Sequence, residues 1–169
     1  MINALEPQAA GARTTIVRDL VIAVFGLNGQ LVDTGNQLTQ AIGLTTAWWQ
    51  VLGALGYSNN PLPVAHIARN MGLSRQAVQR VVDLLADRGL VRLEMNPHHQ
   101  RAKLVVLTAA GRATLEAAEA AEQPLDQLVL ERIGGARIAD AIAVLTEMHT
   151  AIAQHMDAGD DATPSKEIT

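Results

Sequence analysis

Apolar and polar residues alternate most regularly in the middle of the chain, between residues 63 and 107. Apolar side chains recur there at helical spacing on both sides of Gly72, and glycine permits the sharp backbone turn that two packed helices need. Ser74 is a favourable N-cap for the second helix, which the pattern extends to about Arg88. The sequence therefore predicts a helix-turn-helix. The predicted buried face of its second helix comprises Ala77, Val78, Val81, Leu84, Leu85 and Arg88.

A pair of strands is predicted directly after this helix. Gly89 ends the helix, and residues 90–95 and 102–107 each have the composition of a strand. Residues 96–101 between them are polar and contain a proline, as expected for the tip of a hairpin. The pattern predicts a β-hairpin wing, followed by a further helix that Thr108 would N-cap.

Helical periodicity also marks the N-terminal part of the chain. An apolar stripe at spacings of three and four begins at Arg13 and ends at Gly43. Internal glycines weaken this helix, so a break near Gly29 is an alternative. The next helix begins with Thr45 or Thr46 as its N-cap. Residues 58–63 have the composition of a loop.

The C-terminal part predicts two long helices, at residues 113–132 and 136–158. Pro124 should bend the first near Gln123, because proline lacks a backbone hydrogen-bond donor, and the two glycines at 134–135 should end it. The last helix carries an apolar seam that needs a partner, which predicts an isologous homodimer clasped by both chain ends. Residues 1–12 are predicted to form a flexible arm and residues 159–169 a disordered tail.

Composition limits the class of protein. Hydrophobic residues make up 49% and charged residues 18% of the 169 residues, which suits one helix-rich domain with a sizeable core. We recognise neither an uninterrupted apolar run of about 18 residues nor a signal peptide, and so expect a cytoplasmic protein without a membrane span. The absence of cysteine excludes disulfides, thiolate metal ligands and thiol-based sensing.

The net charge of −4 conceals a local excess of positive charge. Residues 65–107 contain seven basic and three acidic residues, whereas the rest of the chain contains six basic and fourteen acidic residues. Charge separated in this way directs one face of a protein toward phosphate and keeps the other faces away from it.

The polar face of the second helix carries candidate DNA contacts. In the major groove, arginine can bind guanine and glutamine can bind adenine through paired hydrogen bonds. The same residue types are good helix formers, so a solvent-facing helix in a protein that never meets DNA is the alternative. The candidates on this face are Ser74, Arg75, Gln76, Gln79 and Arg80.

Four short motifs stand at the turns of this unit: Gly72-Leu73-Ser74, Gly89-Leu90-Val91, the polar tip at 96–101, and Leu107-Thr108-Ala109-Ala110-Gly111. Together they resemble the winged-helix core of the MarR family of transcriptional regulators. The resemblance implies a mainly α (α+β) fold with a winged helix-turn-helix DNA-binding domain at residues 44–108. Residues 13–43 and 109–158 would form the helical dimerisation region.

The resemblance also implies a function. It describes a ligand-responsive homodimer, most simply a repressor, that binds an inverted repeat in double-stranded DNA. A small aromatic acid or a phenolic compound would release it, as in many members of the family.

The wing tip departs from the family pattern, in which an acidic residue precedes an arginine. Arg101 matches the arginine, but His99 stands at the acidic position, which removes a charge partner for Arg101. His98, His99, Arg101 and Lys103 are therefore further candidate DNA contacts. Because histidine titrates near neutrality, DNA affinity should rise from about pH 8 to about pH 6 more than in a variant with both histidines changed to alanine. Equal pH dependence in the two proteins would contradict this prediction.

Adjacent tryptophans on a helix point about 100° apart, so the two cannot face the same side. From its spacing to Leu52, we expect Trp49 to be structural and Trp48 to line an effector cleft, with simple packing of Trp48 on the first helix as the alternative. Candidate ligand contacts are Arg18, Trp48 and His66, with Arg13 added if the N-terminal segment folds in. The alternative is that His66 is simply exposed on the surface or satisfied within the core.

Other function classes receive less support. No serine lies in a Gly-x-Ser-x-Gly turn and no glycine-rich phosphate loop is found, so we expect neither an enzyme nor a bound cofactor. His98 and His99 are adjacent, and His149 and His155 are six residues apart, so neither pair has the spacing of four that places two metal ligands on one helix face. A winged-helix protein–protein adaptor and a metal-responsive regulator are the alternatives to a ligand-responsive regulator.

Overall fold

The computed structural model describes residues 7–97, 99 and 102–160, and the side chains of residues 15–97, 99 and 102–156. Contacts divide the chain into two compact units, with the boundary between Glu122 and Gln123. Helices and strands alternate as predicted for a winged helix with flanking helices. They are α1 (Pro7–Thr39), a short 3-10 helix (Gln40–Ile42), α2 (Thr46–Gly56), β1 (Leu62–Pro63), α3 (Val64–Met71), α4 (Arg75–Asp87), β2 (Val91–Glu94), β3 (Leu104–Leu107), α5 (Ala109–Ile133) and α6 (Gly135–Asp160).

Helices α3 and α4 form the predicted helix-turn-helix. Gly72 has a left-handed backbone with φ of 63°, and the Leu73 amide donates to the Ala68 carbonyl at 2.9 Å. The Ser74 hydroxyl then accepts a hydrogen bond from the Ala77 amide at 3.2 Å and caps α4. The turn is thus stabilised by Gly72, Leu73 and Ser74, the residues from which it was predicted.

A three-stranded antiparallel sheet with strand order β1-β3-β2 contains the wing. The predicted hairpin is confirmed, with Val91 opposite Leu107 and Glu94 opposite Leu104. The prediction that residues 58–63 form a loop is wrong at its end, because Leu62 and Pro63 pair with β3 as strand β1. Proline is tolerated there because β1 is an edge strand.

The core of the first unit lies between α2, the helix-turn-helix and the sheet. The predicted buried face of α4 needs correction: Val82 is fully buried, whereas Leu84 is 48% exposed and Ala77 and Arg88 are also exposed. Burial follows the spacing of four and three from Val78, which places Leu84 at the edge of that face. The largest fully buried side chains are Leu52, Ile67, Leu85, Val51, Val78, Val82, Val105 and Thr39.

Thr108 joins the end of α4 to the start of α5. Its hydroxyl accepts from the Gly111 amide at 3.0 Å, as predicted for an N-cap, and donates to the Gly89 carbonyl at 2.7 Å. Gly89 has the left-handed backbone, with φ of 68°, expected where a helix ends at glycine. Gly111 has no room for a side chain, because a Cβ atom there would collide with the Leu90 carbonyl.

Helix α1 is longer than predicted. It begins at Pro7, so residues 7–12 of the predicted arm are helical, and residues 1–6 lie outside the described residues. Proline suits the first turn of a helix because its φ is preset and its missing donor is not needed there. The helix runs without a break through Gly29, so the predicted alternative of a broken helix is wrong. Gly43, with φ of 69°, ends the 3-10 helix that follows.

The junction of α1 and α2 is closely packed around Thr46. The Thr46 amide donates to Asn36 Oδ1 and its hydroxyl donates to the Val32 carbonyl, both at 2.8 Å. A Cβ atom on Gly35 would lie 2.6 Å from the Thr46 hydroxyl, so this close approach requires glycine. Of the two N-cap candidates, Thr45 caps α2 by accepting from the Trp48 amide at 3.3 Å.

The second unit consists of the end of α5 together with α6. The helix continues through Pro124 to Ile133, and Gly134 alone separates the two helices, because Gly135 is already helical. Helix α6 extends to Asp160, two residues into the predicted tail, and residues 161–169 lie outside the described part of the chain.

Both units expose large apolar side chains on long helices. On α1 these are each more than half exposed, and the segment Thr15–Ile42 is long and apolar enough, by length and composition alone, to cross a membrane. Contiguous apolar surface of this size commonly marks a site of contact with another apolar surface. The side chains concerned are Ile16, Val17, Ile22, Phe25, Leu27 and Leu31 on α1, and Ile142, Val144, Leu145, Ile152 and Met156 on α6.

Candidate nucleic-acid interface

The polar face of α4 is exposed, as predicted. Arg75, Gln76, Gln79 and Arg80 all point away from the core that holds the opposite face. The Ser74 hydroxyl is engaged in the N-cap. Because buried side chains fix α4 on one side, its polar side chains are presented on a rigid support.

A groove with a volume of about 470 Å³ lies between α4 and the wing. It brings four of the predicted DNA contacts together: Arg75, Gln76 and Gln79 from the helix, and Lys103 from the wing. The remaining lining is apolar, which suits contact with sugars and thymine methyl groups. These apolar positions are Pro63, Val64, Ala65, Leu93 and Ala102.

The described part of the wing contains one ion pair. Arg92 Nη2 lies 2.6 Å from Glu94 Oε1, and both side chains are about half exposed. His99 is exposed, and its backbone joins the hairpin by accepting from the Ala102 amide at 3.0 Å. His98 and Arg101 lie outside the described residues, so their roles at the wing tip stay predictions.

A second cavity of about 810 Å³ opens beside α2. Trp49 lines this cavity and also packs against the core, as predicted for a structural residue. Five further residues of α2 and its end lie on the same side, at helical spacing from Trp49 or from one another. That spacing is the signal in the sequence that could have identified them. The lining residues are Leu31, Thr46, Trp49, Gln50, Gly53, Ala54, Tyr57, Ser58, Leu62, Asn70, Met71 and Glu122.

Trp48 instead faces the end of α4. The Arg88 guanidinium lies over its ring at 4.2 Å from the centroid, and Arg88 Nη1 donates to the Gly43 carbonyl at 3.2 Å. Arg18 and His66 are exposed and do not line the cavity either. The structure therefore does not bring the predicted ligand contacts Arg18, Trp48 and His66 together at this cavity. The side chain of Arg13, the further candidate, lies outside the described side chains.

The lining of this cavity is mostly apolar or neutral. Among the described residues that line it, Glu122 is the one charged residue. At its edge, the Tyr57 hydroxyl donates to Glu119 Oε1 at 2.6 Å. An aromatic carboxylate would meet no lining cation there among these residues, whereas a neutral aromatic compound would find ring faces and hydrogen-bonding groups. Within the described part of the chain, no three His, Cys, Asp or Glu residues are grouped so that they could hold a metal ion.

Comparison with known proteins places the chain in a family. Residues 42–102, which span α2, the helix-turn-helix and most of the wing, match the sequence profile of the MarR family. An uncharacterised protein of Mycobacterium tuberculosis is 42% identical over 98 residues, which cover 58% of this chain and 67% of the relative. The chain belongs to the MarR family. Proteins of this family are transcriptional regulators, and this MarR-family chain is a DNA-binding regulator with a winged-helix fold.

Other similar proteins differ in what their names state. The transcriptional activatory protein BadR of Rhodopseudomonas palustris is 31% identical over 110 residues, which cover 64% of this chain and 63% of BadR. CouR from Rhodococcus jostii, solved bound to p-coumaroyl-CoA, has a TM-score of 0.70 at 23% identity and covers 78% of this chain and 92% of its own. A mutant MarR from E. coli, complexed with operator DNA, has a TM-score of 0.67 at 21% identity and covers 78% of this chain and 94% of its own. The two structural matches show a shared fold.

Proposed function

We propose that this protein is a homodimeric repressor that binds an inverted-repeat operator and is released by a small aromatic effector. One observation carries the proposal: the groove between α4 and the wing gathers Arg75, Gln76, Gln79 and Lys103 around an apolar floor. Guanidinium, amide and ammonium groups that line one groove suit base edges and phosphates. In a helix-turn-helix, the second helix, here α4, enters the major groove.

Charge supports DNA as the partner over another protein. The excess of basic residues falls within residues 65–107, which contain α4 and the wing, although the whole chain is acidic. We propose a cytoplasmic location, because a DNA-binding regulator meets its operator there.

The exposed apolar faces of α1 and α6 support a homodimer. An isologous interface covers such faces on two chains at once, and it sets two recognition helices about 34 Å apart, one turn of DNA. Insertion of α1 into a membrane is a poorer explanation, because Arg18, Asp19 and Asp33 lie within the apolar segment and charges are costly in a bilayer.

The cavity beside α2 supports a small aromatic effector. Its volume of about 810 Å³ suits a compound of drug size, and Trp49 and Tyr57 offer ring faces. CouR, which shares the fold, binds a ligand with a phenolic group. Of the two effector classes expected from the sequence, a lining with one carboxylate and no cation favours a phenolic compound over an aromatic acid.

A mobility-shift titration tests the proposal. The full chain is titrated with duplexes from the region upstream of its own gene and with random duplexes, at two salt concentrations. We expect preferred binding to one inverted repeat with a steep salt dependence, because phosphate contacts release counterions. Arg75→Ala should weaken operator binding by about 1–3 kcal/mol. Equal, weak binding to all duplexes would favour the protein–protein adaptor instead.

The direction of regulation is tested separately. Deletion of the gene should raise transcription from the bound promoter if the protein is a repressor. A fall in transcription would show an activator, the role that the name of BadR states for that relative.

A further inference from the structure

Two side chains on the polar face of α4 are joined by a hydrogen bond. Gln79 Nε2 donates to Asp83 Oδ1 at 2.7 Å, across one turn of the helix. Both residues are exposed, and Gln79 also lines the groove between α4 and the wing. The pair therefore lies where the edges of bases would be contacted.

The chemistry of the carboxylate determines which end of the amide faces Asp83. An ionised carboxylate only accepts hydrogen bonds, so Gln79 must turn its NH₂ group toward it. The carbonyl oxygen of Gln79 consequently faces away from Asp83. Rotating the amide by half a turn would place this oxygen against the carboxylate, with two acceptors facing each other.

We propose that Asp83 is a positioning residue that makes Gln79 select bases carrying an amino group in the major groove, an inference that rests on the proposed function. Adenine and cytosine present such an amino group there, whereas guanine and thymine present only acceptors. A Gln79 held with its oxygen outward binds adenine or cytosine and opposes guanine or thymine. Without Asp83, the amide can turn over and bind either class.

The effect of Asp83 on specificity is opposite to its effect on general affinity. Its negative charge lies on the face that approaches phosphates, so removing it should strengthen binding to any duplex. Removing its acceptor should free the amide of Gln79 and weaken discrimination between bases. A residue with a merely structural role would not change these two quantities in opposite directions.

Variants of α4 separate the two effects. Asp83→Ala removes both the charge and the acceptor. Asp83→Asn removes the charge and replaces the carboxylate with an amide that can either accept from Gln79 or donate to it, so this variant no longer determines which end of the Gln79 amide faces it. Asp87→Asn removes a second exposed carboxylate from the same helix and is the charge control. Gln79→Ala identifies the operator position that Gln79 contacts.

The experiment selects duplexes from a random pool with the full wild-type chain. It then measures affinity for the selected site with each base at each position. At one position per half-site, wild type should prefer adenine or cytosine over guanine or thymine by about fivefold or more. Gln79→Ala, Asp83→Ala and Asp83→Asn should reduce this preference to less than about twofold, whereas Asp87→Asn should keep it. All three aspartate variants should bind random duplexes more tightly than wild type.

Several results would overturn the inference and leave the proposed function intact. They are a full preference in Asp83→Ala or in Asp83→Asn, loss of preference in Asp87→Asn, or a preference for guanine or thymine at the position that depends on Gln79. If selection yielded no preferred duplex at all, both the proposed function and this inference would be rejected.

Discussion

At the scale of single residues, Arg88 connects three elements. It ends α4, covers the ring of Trp48 on α2, and donates to the carbonyl of Gly43, which follows the 3-10 helix after α1. The sequence analysis assigned Arg88 to the buried face of α4 because of its spacing. The structure shows an exposed guanidinium with two specific partners, and those partners depend on packing that spacing alone does not reveal.

Arg88→Ala should lower the free energy of unfolding by about 1 kcal/mol, through loss of the cation–π contact and of a charge-assisted hydrogen bond. The change is measured by urea denaturation followed by far-ultraviolet circular dichroism. Arg80→Ala is the matched control, because Arg80 is an exposed arginine of the same helix. Equal stability of the two variants would contradict this role for Arg88.

At the scale of elements, local signals predicted the helix-turn-helix and the hairpin well. Ser74 and Thr108 are N-caps, and Gly72 and Gly89 adopt the left-handed backbone that ends a helix. These features need only neighbouring residues, so they can be deduced from a short stretch of sequence.

Features that depend on distant residues were missed. Strand β1 contains two residues and exists because it pairs with β3, some 40 residues later, so it leaves no periodic pattern of its own. The surroundings of Trp48 and Trp49 depend on which elements pack against α2. The sequence analysis expected Trp48 to line a cleft, whereas Trp49 lines the cavity and Trp48 lies beneath Arg88. The groove was easier to predict, because most of its polar lining comes from one face of one helix.

Gly111 offers a test of how the wing is joined to α5. Gly111→Ala should destabilise the protein by about 2–4 kcal/mol, because the added methyl group collides with the Leu90 carbonyl and with a methyl group of Leu107. Gly26→Ala is the control: nothing lies within 4 Å of a Cβ atom there in the single chain, and alanine favours a helix. Thermal unfolding of both variants measures the difference. A Gly111→Ala protein as stable as wild type would show that the junction can relax.

At the scale of the whole molecule, the exposed apolar helices predict self-association. Changing Ile22 and Phe25 to glutamate should convert the dimer to a monomer, because both side chains are more than 60% exposed in the single chain and would lie in an apolar interface. Sedimentation velocity measures the mass. Asn28→Glu together with Gln30→Glu adds the same charge to exposed polar positions of α1 and should leave the dimer intact. A monomeric wild-type protein would contradict the prediction.

The cavity beside α2, as the proposed effector site, predicts selection by charge. A small phenol should bind at least about tenfold more tightly than the benzoate of matched shape, because the carboxylate would lose hydration without gaining a lining cation. Calorimetric titration with 4-methylphenol and 4-methylbenzoate measures the ratio. Gln50→Lys should bring the benzoate up to or above the phenol, whereas Glu116→Lys, which lies outside the cavity, should not. Tighter binding of the benzoate to wild type would reject a phenolic effector.

Trp48 and Trp49 lie on different sides of α2, which has a practical consequence for measuring the rates of binding. These are the two indoles of the chain, and one borders the small-molecule cavity while the other lies beneath Arg88 at the end of α4. A Trp48→Phe protein would therefore report ligand entry by fluorescence, and a Trp49→Phe protein would report events at the DNA-reading helix. Stopped-flow traces from the two proteins would give the order in which the signal travels between the sites, without any attached dye.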